Sequence, residues 1–287
     1  MAAKWWTDAL VENLLREDAP FGDLTTEALG IGAAPARLAM AMRAPSTVCG
    51  VELAAEIFAK AGATAQVLAG AGTRVAAGGP ILEAQGEAGP VLIAWKVAQT
   101  LVEYLSGIAT ATAEIVEAAH QVDPTVAVVT TRKTFPGTKP MMIAAIRAGG
   151  AMPHRLGLSE TLLVFPEHRA FLADPVEAVA ALRRAAPEKK VVVEVTSVDE
   201  ARAVLPAAPD ILQCEKMSPT EIFQVSGLLG SARARMGSAH LPTLIAAAGG
   251  VTAKNAAAYV SEGANILVTS APYWARPADV KVTIEPA

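Results

Sequence analysis

Short apolar runs that recur through the second half of the chain restrict its fold more than any other feature. The runs are TVAVVT, ETLLVF, KKVVVEV, DILQCE, TLIAAAGG and NILVTS. Alanine-rich stretches separate them, at intervals of about one strand plus one helix. Strands that are apolar on both faces and alternate with helices are typical of parallel sheets. The sequence therefore predicts an α/β protein whose parallel sheet is either closed as a barrel or open and doubly wound.

Charged, polar or glycine-containing segments stand at the carboxyl end of each predicted strand. They are Thr130 to Lys133, Phe165 to His168, Glu194, Glu215, Gly249 with Gly250, and Thr269 with Ser270. In a parallel barrel these ends converge on one face, whereas an open sheet uses mainly the point where its strand order reverses. Candidate functional groups at all six ends therefore favour the barrel and predict a site on that face.

The first 112 residues lack this regular alternation. A helix is expected from Trp5 to Arg16, and short strands around Arg37 to Met42 and Gln66 to Leu68. One or two long helices follow, in the stretch that begins VLIAWKVAQTL. A chain of 287 residues is long enough for two unequal domains, which the change in composition after Gln121 also indicates.

Composition and charge exclude several classes of function. A net charge of −4 and an isoelectric point near 5.7 argue against a general polyanion-binding surface, so we expect no nucleic-acid partner. Charge, proline or glycine interrupts every apolar stretch, and we expect no membrane span. The amino terminus turns acidic within one helical length and has no export signal, which predicts a cytoplasmic protein. Cys49 and Cys214 are interpreted as small buried side chains.

A basic cluster lies between residues 131 and 155, a stretch without any carboxylate. Its members are Arg132, Lys133, Lys139, Arg147, His154 and Arg155. The guanidinium group of arginine binds carboxylate or phosphate through two parallel hydrogen bonds. In an acidic protein such a cluster predicts a local pocket for a small anion. Because the chain has no HxH or HExxH spacing, His154 is expected to contact substrate rather than a metal.

Small residues and carboxylates complete the candidate site. The segments AAAGGV and ILVTSAP would let backbone N–H groups approach a phosphate. Glu194 lies inside VVVEVTS and Glu215 follows DILQC, so both carboxylates would face the mouth of the barrel. They could form structural ion pairs, or they could bind ribose hydroxyls or an Mg²⁺ ion that bridges phosphate and sugar oxygens. The spacing of these residues leaves both alternatives open.

Several motifs give the chain a resemblance to a known family over nearly its whole length. They are LLREDAPFGDLTTEAL, SGIATAT, TRKTFPGTK, GGAMPHRLGLSETLLV, VVVEVTSVDEA and AAAGGV. In order and spacing they resemble the quinolinate phosphoribosyltransferases, which are type II phosphoribosyltransferases. TRKTFPGTK and HRLGLSETLLVF resemble most closely the ModD branch, whose genes lie near molybdate-transport functions.

The resemblance implies a fold and an assembly. Members of this family combine an amino-terminal α/β sandwich with an incomplete parallel α/β barrel. We therefore expect the sandwich in residues 1–110 and the barrel in 111–271, with about 272–287 packing back on the first domain. Family members are usually homodimers in which the neighbouring subunit completes each active site.

The resemblance also implies a reaction. The family transfers phosphoribose from phosphoribosyl pyrophosphate to the ring nitrogen of quinolinate, releases pyrophosphate and then loses carbon dioxide. By position, Arg132, His154 and Arg155 match residues that hold the acid, and Lys133 matches one at the phosphoribosyl and pyrophosphate end. Glu194 matches a ribose- and metal-binding Glu, and Gly249 with Gly250 match the pair that receives the 5-phosphate. We expect Mg²⁺ as the cofactor, with Glu194 and Glu215 as its ligands.

Some positions depart from the biosynthetic enzymes of the family. Lys96, in Trp95-Lys96, stands where they carry an arginine offered to the neighbouring subunit, and Phe165 stands where they carry a lysine that meets a substrate carboxylate. Lys139 is a candidate to compensate for that lost charge. At three other places this chain also differs. It has Glu215-Lys216 where the biosynthetic enzymes have Asp-Asn, Ala248 where they have serine, and Ser270 where they have glycine. Ser270 is a predicted substrate contact. An unpaired buried carboxylate is costly, so the acceptor is expected to be a less acidic or more apolar ring, with quinolinate retained as an alternative.

Two other classes of function compete with the transferase. One is a non-catalytic oxyanion-binding or regulatory protein of molybdenum metabolism, which would not need carboxylates beside its anion. The other is a nicotinamide-cofactor dehydrogenase, which needs a GxGxxG turn directly after a strand. The glycines of GLLGSARARMG have the wrong interval and follow a helical stretch, so the dehydrogenase is set aside.

Overall fold

A computed structural model describes residues 4–172, 175–236 and 243–287. The chain forms two compact units. The first unit contains Met1–Ala113, Thr134–Gly150 and Pro272–Ala287, and the second contains Glu114–Lys133 and Ala151–Ala271. Residues 134–150, which the sequence analysis assigned to the barrel, group with the first unit. The domain boundaries at 110 and 271 themselves stay a prediction.

The described residues form the following helices and strands. The helices are α1 (Asp8–Asp18), α2 (Leu24–Leu29), α3 (Val51–Ala61), α4 (Ala88–His120), α5 (Lys139–Ala148), α6 (Pro166–Arg169), α7 (Pro175–Ala185), α8 (Val198–Val204), α9 (Pro219–Met236) and α10 (Ala256–Ser261). The strands are β1 (Pro35–Met42), β2 (Ser46–Thr47), β3 (Thr64–Val67), β4 (Arg74–Val75), β5 (Pro80–Glu87), β6 (Ala127–Thr130), β7 (Met152–Pro153), β8 (Leu162–Val164), β9 (Val191–Val195), β10 (Ile211–Glu215), β11 (Leu244–Ala248), β12 (Ile266–Thr269) and β13 (Val280–Pro286).

The first unit is built on an antiparallel sheet with the strand order β13-β1-β5-β3. Strand β1 alternates between exposed and buried residues: Arg37 is exposed, whereas Leu38 and Met40 are buried. Met40 lies opposite Val282 of β13 on one side and Leu82 of β5 on the other. This period of two is the pattern of a sheet with one face in the core and one face in solvent.

Helix α3 supplies much of the core of the first unit. Its residues Ala54, Ile57 and Phe58 have no exposed surface, and they follow the three- and four-residue spacing of an amphipathic helix. Helix α1 begins at Asp8, later than the predicted start at Trp5. The side chain of Thr7 explains the difference, because it accepts a hydrogen bond from the N–H of Leu10 and caps the helix there.

The second unit is built on a seven-stranded parallel sheet with the strand order β7-β6-β12-β11-β10-β9-β8. Six of these strands coincide with the six predicted apolar runs. The seventh, β7, has two residues and was not predicted. Every residue of β9 is buried, as expected for a sheet that is covered on both faces.

The parallel sheet curls into an incomplete barrel, which confirms the predicted fold class. Strands β7 and β8 lie at opposite edges of the sheet. Arg155 follows β7 and Phe165 follows β8, yet the Cζ atom of Arg155 lies 5.8 Å from the centroid of the Phe165 ring. The two edges therefore approach each other. Inside the curve lies an apolar cluster composed of Val129, Val192, Ile211, Ala246, Ala248, Ile266 and Val268.

Helix α4 is a single helix of 33 residues where one or two were expected. By length and composition alone it could cross a membrane, because one window of 18 residues has a mean hydropathy of 1.2. This differs from the sequence expectation that every apolar stretch is too short. Half of that window is buried inside the protein, as in core helices, so the helix is weak evidence for a span. The expected absence of a membrane partner stays a prediction.

Candidate active site

A cavity of about 500 Å³ lies within the second unit, at the carboxyl ends of its parallel strands. Its walls come from strands β8 to β12 and from residues that follow β6, β7, β8, β10, β11 and β12. The lining residues are Thr131, Arg132, Lys133, His154, Arg155, Leu163, Phe165, Glu167, Glu194, Gln213, Glu215, Lys216, Ala248, Gly249, Gly250, Val268 and Ser270. The cavity thus contains four cationic side chains and three carboxylates, at the face where parallel barrels place their sites.

The ends of β6 and β7 carry most of the positive charge. Arg132 and Lys133 follow β6 directly, and Arg155 follows β7 after His154. Two backbone hydrogen bonds fix these segments: the N–H of His154 donates to the carbonyl of Thr130 at 2.9 Å, and the N–H of Thr131 donates to that of Thr269 at 3.0 Å. The basic side chains therefore start from a backbone that is anchored to two neighbouring strands.

Burial and mutual repulsion lower the affinity of this wall for protons. Burial lowers the pKa of His154 below its usual value of 6.5, and the neighbouring Arg155 lowers it further. His154 is therefore neutral at pH 7, when it can donate one hydrogen bond and accept another. Burial, followed by the charge of Arg132, also lowers the pKa of Arg155. A bound anion would stabilise this part of the cavity, because its negative charge would offset the repulsion between the positive charges of Arg132 and Arg155.

Phe165 forms an apolar section of the same cavity. Its ring stacks on His168 with 5.7 Å between the ring centroids, and its N–H donates to Nδ1 of His168 at 3.0 Å. Arg155 lies beside the Phe165 ring, with its Cζ atom 5.8 Å from the ring centroid, and its Nη1 donates to the carbonyl of Thr161 at 3.2 Å. The position after β8 is therefore closed by a fixed aromatic ring rather than by a charge.

The carboxylates lie on β9 and β10. Glu194 is only 8% exposed, and its Oε2 accepts a hydrogen bond of 2.6 Å from Nε2 of Gln213 on the next strand. Burial raises the pKa of Glu194 above its usual value, and the charges of Glu215 and Glu167 add to that increase. Among the described residues, the ion pairs do not include Glu194 or Glu215, so the pairing that a structural role predicts is not found there.

Mg²⁺ fits the arrangement of these two carboxylates as a substrate-linked ion. In the parts of the chain that the structure describes, no group of three or more His, Cys, Asp or Glu side chains could hold a metal by itself. Mg²⁺ commonly takes one or two carboxylates and completes its shell with water and substrate phosphates. Glu194 and Glu215 supply two carboxylates that repel each other, and a divalent cation would relieve that repulsion.

Two consecutive glycines follow β11 and bring the backbone close to the carboxylate wall. Gly249 and Gly250 have φ angles of +80° and +84°, in the left-handed region. A Cβ atom on Gly249 would lie 2.8 Å from Oε1 of Glu215, which is closer than real Cβ contacts. Thr269 anchors the next residue, because its Oγ1 donates to the carbonyl of Val251 at 2.7 Å. This conformation is typical of backbone turns that bind phosphate.

All of the predicted site residues except Lys96, Lys139 and Arg147 of the basic cluster line this cavity. Those three belong to the first unit, where all are exposed. The Nζ atom of Lys96 lies 4.1 Å from the centroid of the Trp95 ring and donates to Gln99 at 3.0 Å. Lys139 is the first residue of α5. The roles assigned to all these residues stay predictions.

Sequence reasoning missed Gln213 and Lys216 as members of the site, and it included Glu167 only within the segment Phe165 to His168. Gln213 has the same signal as Glu194, a polar residue inside an otherwise apolar strand, and that signal could have found it. Lys216 was noticed only as a departure from the family pattern. Its φ angle of +56° and the 2.7 Å hydrogen bond from its N–H to the carbonyl of Ala248 could not be read from sequence.

Comparisons with known sequences cover nearly the whole chain. Residues 23–106 match the family described as "Quinolinate phosphoribosyl transferase, N-terminal domain", and residues 108–283 match "Quinolinate phosphoribosyl transferase, C-terminal domain". A Rhodobacter capsulatus protein named "Putative pyrophosphorylase ModD" is 44% identical over 252 residues, which are 87% of this chain and 94% of that protein. The carboxylating nicotinate-nucleotide pyrophosphorylase of Mycobacterium leprae is 33% identical over 267 residues, 91% of this chain and 90% of that protein.

Solved structures agree with these matches. NadC from Streptococcus pyogenes has a TM-score of 0.86 and 25% identity to this chain, covering 98% of this chain and 96% of that chain. A crystal structure of a NadC deletion mutant likewise gives a TM-score of 0.86 with 26% identity, covering 98% of this chain and 97% of that chain. With both family domains matched in order and the incomplete barrel present, the chain belongs to the quinolinate phosphoribosyltransferase family.

Proposed function

We propose that this protein is a pentosyltransferase that transfers phosphoribose from phosphoribosyl pyrophosphate to the ring nitrogen of quinolinate or a related heterocyclic acid. The lone pair of the ring nitrogen forms the bond to the anomeric carbon. The bond from that carbon to pyrophosphate breaks, and pyrophosphate leaves with the electron pair. One observation carries the proposal: a single cavity combines four cationic side chains, three carboxylates and a glycine turn at the carboxyl ends of the strands.

The charges of the cavity suit these substrates. Phosphoribosyl pyrophosphate and a ring acid bring a 5-phosphate, a pyrophosphate and at least one carboxylate, so their pocket needs several cations. Arg132, Lys133, Arg155 and Lys216 supply them. The reaction needs no protein nucleophile, because most of the catalysis comes from alignment and from stabilising the charge of the leaving group. Lys133 is assigned to the pyrophosphate, and Arg132 with His154 and Arg155 to the acid.

The apolar wall at Phe165 supports an acceptor that is less acidic than quinolinate. A carboxylate placed against this ring would lose water without gaining an ionic partner, which is unfavourable. Arg155 lies beside the ring and offers one guanidinium group. A monocarboxylic ring would satisfy Arg155 and place its apolar edge on Phe165. Quinolinate stays within the proposal as the family's own acceptor.

The proposal includes a cofactor, an assembly and a location. Mg²⁺, held by Glu194 and Glu215 together with substrate oxygens, would stabilise the negative charge of the phosphates. A second copy of the chain would complete the site with Lys96. That residue is exposed on α4, beside a largely apolar cavity of about 590 Å³ within the first unit. The location that belongs to this proposal is the cytoplasm.

Release of pyrophosphate tests the proposal directly. Purified protein is incubated with phosphoribosyl pyrophosphate and Mg²⁺, with quinolinate, monocarboxylic pyridines or uncharged pyridines in parallel reactions. We expect release that depends on both Mg²⁺ and the acceptor, with the monocarboxylic ring at least as active as quinolinate. Reactions without acceptor measure background hydrolysis.

The opposite result supports the alternative function. A protein that releases no pyrophosphate with any ring, and instead binds molybdate, would be a non-catalytic oxyanion-binding protein on the same scaffold. Calorimetric titration of the same preparation with molybdate distinguishes the transferase from the oxyanion-binding protein. Binding of phosphoribosyl pyrophosphate with Mg²⁺ and no binding of molybdate would contradict the oxyanion-binding function.

A further inference from the structure

Gln213 carries a buried hydrogen-bond acceptor that the protein itself does not satisfy. Its side chain is 5% exposed and lines the cavity. The amide nitrogen Nε2 donates to Oε2 of Glu194 at 2.6 Å, but the carbonyl oxygen Oε1 has no hydrogen-bond partner among the described residues. Buried side-chain polar atoms nearly always have partners, so this oxygen needs an explanation.

The orientation of the amide is fixed by its neighbour. If the amide were turned over, its carbonyl oxygen would face the carboxylate of Glu194, and two acceptors would repel each other. The hydrogen bond to Glu194 therefore keeps Oε1 pointing away from β9.

The neighbouring positions of the barrel offer no donor to Oε1. In the register of the sheet, Gln213 lies between Glu194 on β9 and Ala246 on β11. Two residues back along β10, Ile211 belongs to the apolar cluster, and two residues on, Glu215 presents another acceptor. Methyl groups and carboxylates cannot donate to a carbonyl, so none of these neighbours satisfies Oε1, and a ligand in the cavity that Gln213 lines can supply the donor.

Three of the four cations of the cavity lie on strands other than that of Gln213, and this arrangement indicates which part of a ligand reaches Gln213. Arg132 and Lys133 follow β6 and Arg155 follows β7, whereas the acceptors Glu194 and Gln213 lie on β9 and β10. The fourth cation, Lys216, follows β10 beside the carboxylate of Glu215. A carboxylate or phosphate would be repelled by two adjacent acceptors. Neighbouring hydroxyl groups suit them, because each hydroxyl donates one hydrogen bond.

We propose that Gln213 binds the sugar of the substrate, its side-chain carbonyl accepting a hydrogen bond from a ribose hydroxyl next to the one held by Glu194. This inference rests on the proposed function, since it takes phosphoribose as the ligand. The inference adds to the site a residue that contacts the sugar rather than the acceptor ring. Gln213 would therefore make the site selective for ribose over deoxyribose.

A comparison of three ligands in two proteins tests this role. Calorimetry would measure the dissociation constants of ribose 5-phosphate, 2-deoxyribose 5-phosphate and 3-deoxyribose 5-phosphate, with Mg²⁺, for the wild type and for Gln213→Met. Methionine has a similar shape and volume but no amide. We expect the wild type to bind ribose 5-phosphate about tenfold more tightly than one of the two deoxy sugars. Gln213→Met should bind ribose 5-phosphate and that same deoxy sugar with dissociation constants within about twofold of each other.

The comparison between ligands separates binding from a structural role. A variant whose fold or Glu194 carboxylate is merely disturbed would bind all three sugars more weakly by the same factor, and the preference for ribose would persist. That outcome would overturn the inference, as would failure of the wild type to bind ribose 5-phosphate. A uniform loss seen only with Mg²⁺ would indicate a metal contact instead and would likewise overturn it.

Two further proteins serve as controls. Gln121→Met makes the same substitution at an exposed position of the second unit and is expected to change no affinity. Gln213→Asn keeps an amide, but its shorter side chain withdraws that amide from the cavity. This variant should also lose the preference for ribose over deoxyribose, so it can replace Gln213→Met in the test if Gln213→Met folds poorly. A protein that prefers ribose 5-phosphate through Gln213 yet never releases pyrophosphate would keep this inference while the proposed transferase fails.

Discussion

The two sheets of this protein treat polar residues in opposite ways. In β1 of the antiparallel sheet, exposed and buried residues alternate, so that Arg37 stands in solvent next to the buried Leu38. In β9 of the parallel sheet all five residues are buried, and Glu194 is one of them. A polar residue in the first sheet costs nothing, because half of the positions face water. In the second sheet it loses water, and its presence needs a chemical reason.

This difference makes the parallel sheet the more informative one for function. Arg37, Glu83 and Gln85 on the open face of the antiparallel sheet are what any solvated face would carry. Glu194 and Gln213 in the barrel replace residues that would otherwise extend the apolar cluster. Proteins retain such residues mainly where binding or catalysis requires them, at a cost in stability.

The largest expected effect is the loss of activity in Lys133→Ala. Removing the cation assigned to pyrophosphate should lower kcat by about 10³-fold, the upper range for loss of one electrostatic contact in a transition state. Steady-state kinetics of pyrophosphate release would measure it. Lys281→Ala, on β13 of the antiparallel sheet, is the matched control and should keep the wild-type rate. A wild-type rate in Lys133→Ala would refute the role assigned to Lys133.

Next in size is a pair of stability effects that contrast the two sheets directly. In β1, Leu38→Ala should cost about 3 kcal/mol in the free energy of unfolding, whereas the adjacent Arg37→Ala should stay within about 0.5 kcal/mol. In β9, Val192→Ala and Val193→Ala should both cost about 2 kcal/mol, because both faces are buried. Urea denaturation followed by circular dichroism would measure all four. Equal costs in β1, or unequal costs in β9, would contradict the contrast.

The apolar wall of the barrel gives an effect of intermediate size. Phe165→Lys places a cation beside the acid pocket and should tighten the binding of quinolinate about tenfold, the usual value of one charge-assisted hydrogen bond. Repulsion from Arg155 keeps the gain from being larger. Calorimetric titration of quinolinate would measure it, with Phe165→Leu as the uncharged control. Unchanged weak binding would show that Phe165 is not what limits the affinity for quinolinate.

The smallest effect is a gain in stability from Glu194→Gln. The pKa of Glu194 is raised, so above pH 4.5 the folded protein binds more protons at this site than the unfolded chain does, and stability falls as pH rises through the raised pKa. The neutral glutamine should therefore stabilise the fold at pH 7.5 by about 1 kcal/mol, or about 2–4 °C in melting temperature, and activity should be lost.

The pH dependence makes this last prediction specific. Near pH 4, where Glu194 is protonated in both states, the gain should disappear. Thermal unfolding at the two pH values would show it. Glu83→Gln, on the exposed face of the antiparallel sheet, should have no effect at either pH. A gain for Glu194→Gln that is equal at both pH values would mean that ionisation of the carboxylate is not its cause.

The contrast between the sheets also explains what the sequence could predict. Continuous apolar runs predicted six barrel strands. Arg132 was found because it follows one of these runs, and Glu194 because it is a charged residue inside another. Strand β7 was missed because two residues, Met152 and Pro153, are too few to show a period. The start of α1 was predicted at Trp5, whereas the side chain of Thr7 caps the helix and it begins at Asp8.

Other features depend on contacts that a sequence does not display. The approach of Arg155 to Phe165 follows from the curl of the sheet, and no local pattern encodes it. The unpaired carbonyl of Gln213 depends on which side chain lies across the strand, since the register with Glu194 decides where its amide points. Such details require the assembled barrel, because they arise between strands that are far apart in the chain.

The edge strands of the parallel sheet are short, and this affects how readily newly synthesised chains aggregate. Edge strands can recruit other chains by pairing with them, and nascent proteins in a crowded cell are exposed to that hazard. Here the edges β7 and β8 have two and three residues, against five in β9, β10 and β11. Pro153 also removes one backbone donor from β7. A barrel that is never fully closed can thus still resist aggregation, because its open edges offer newly made chains very little to pair with.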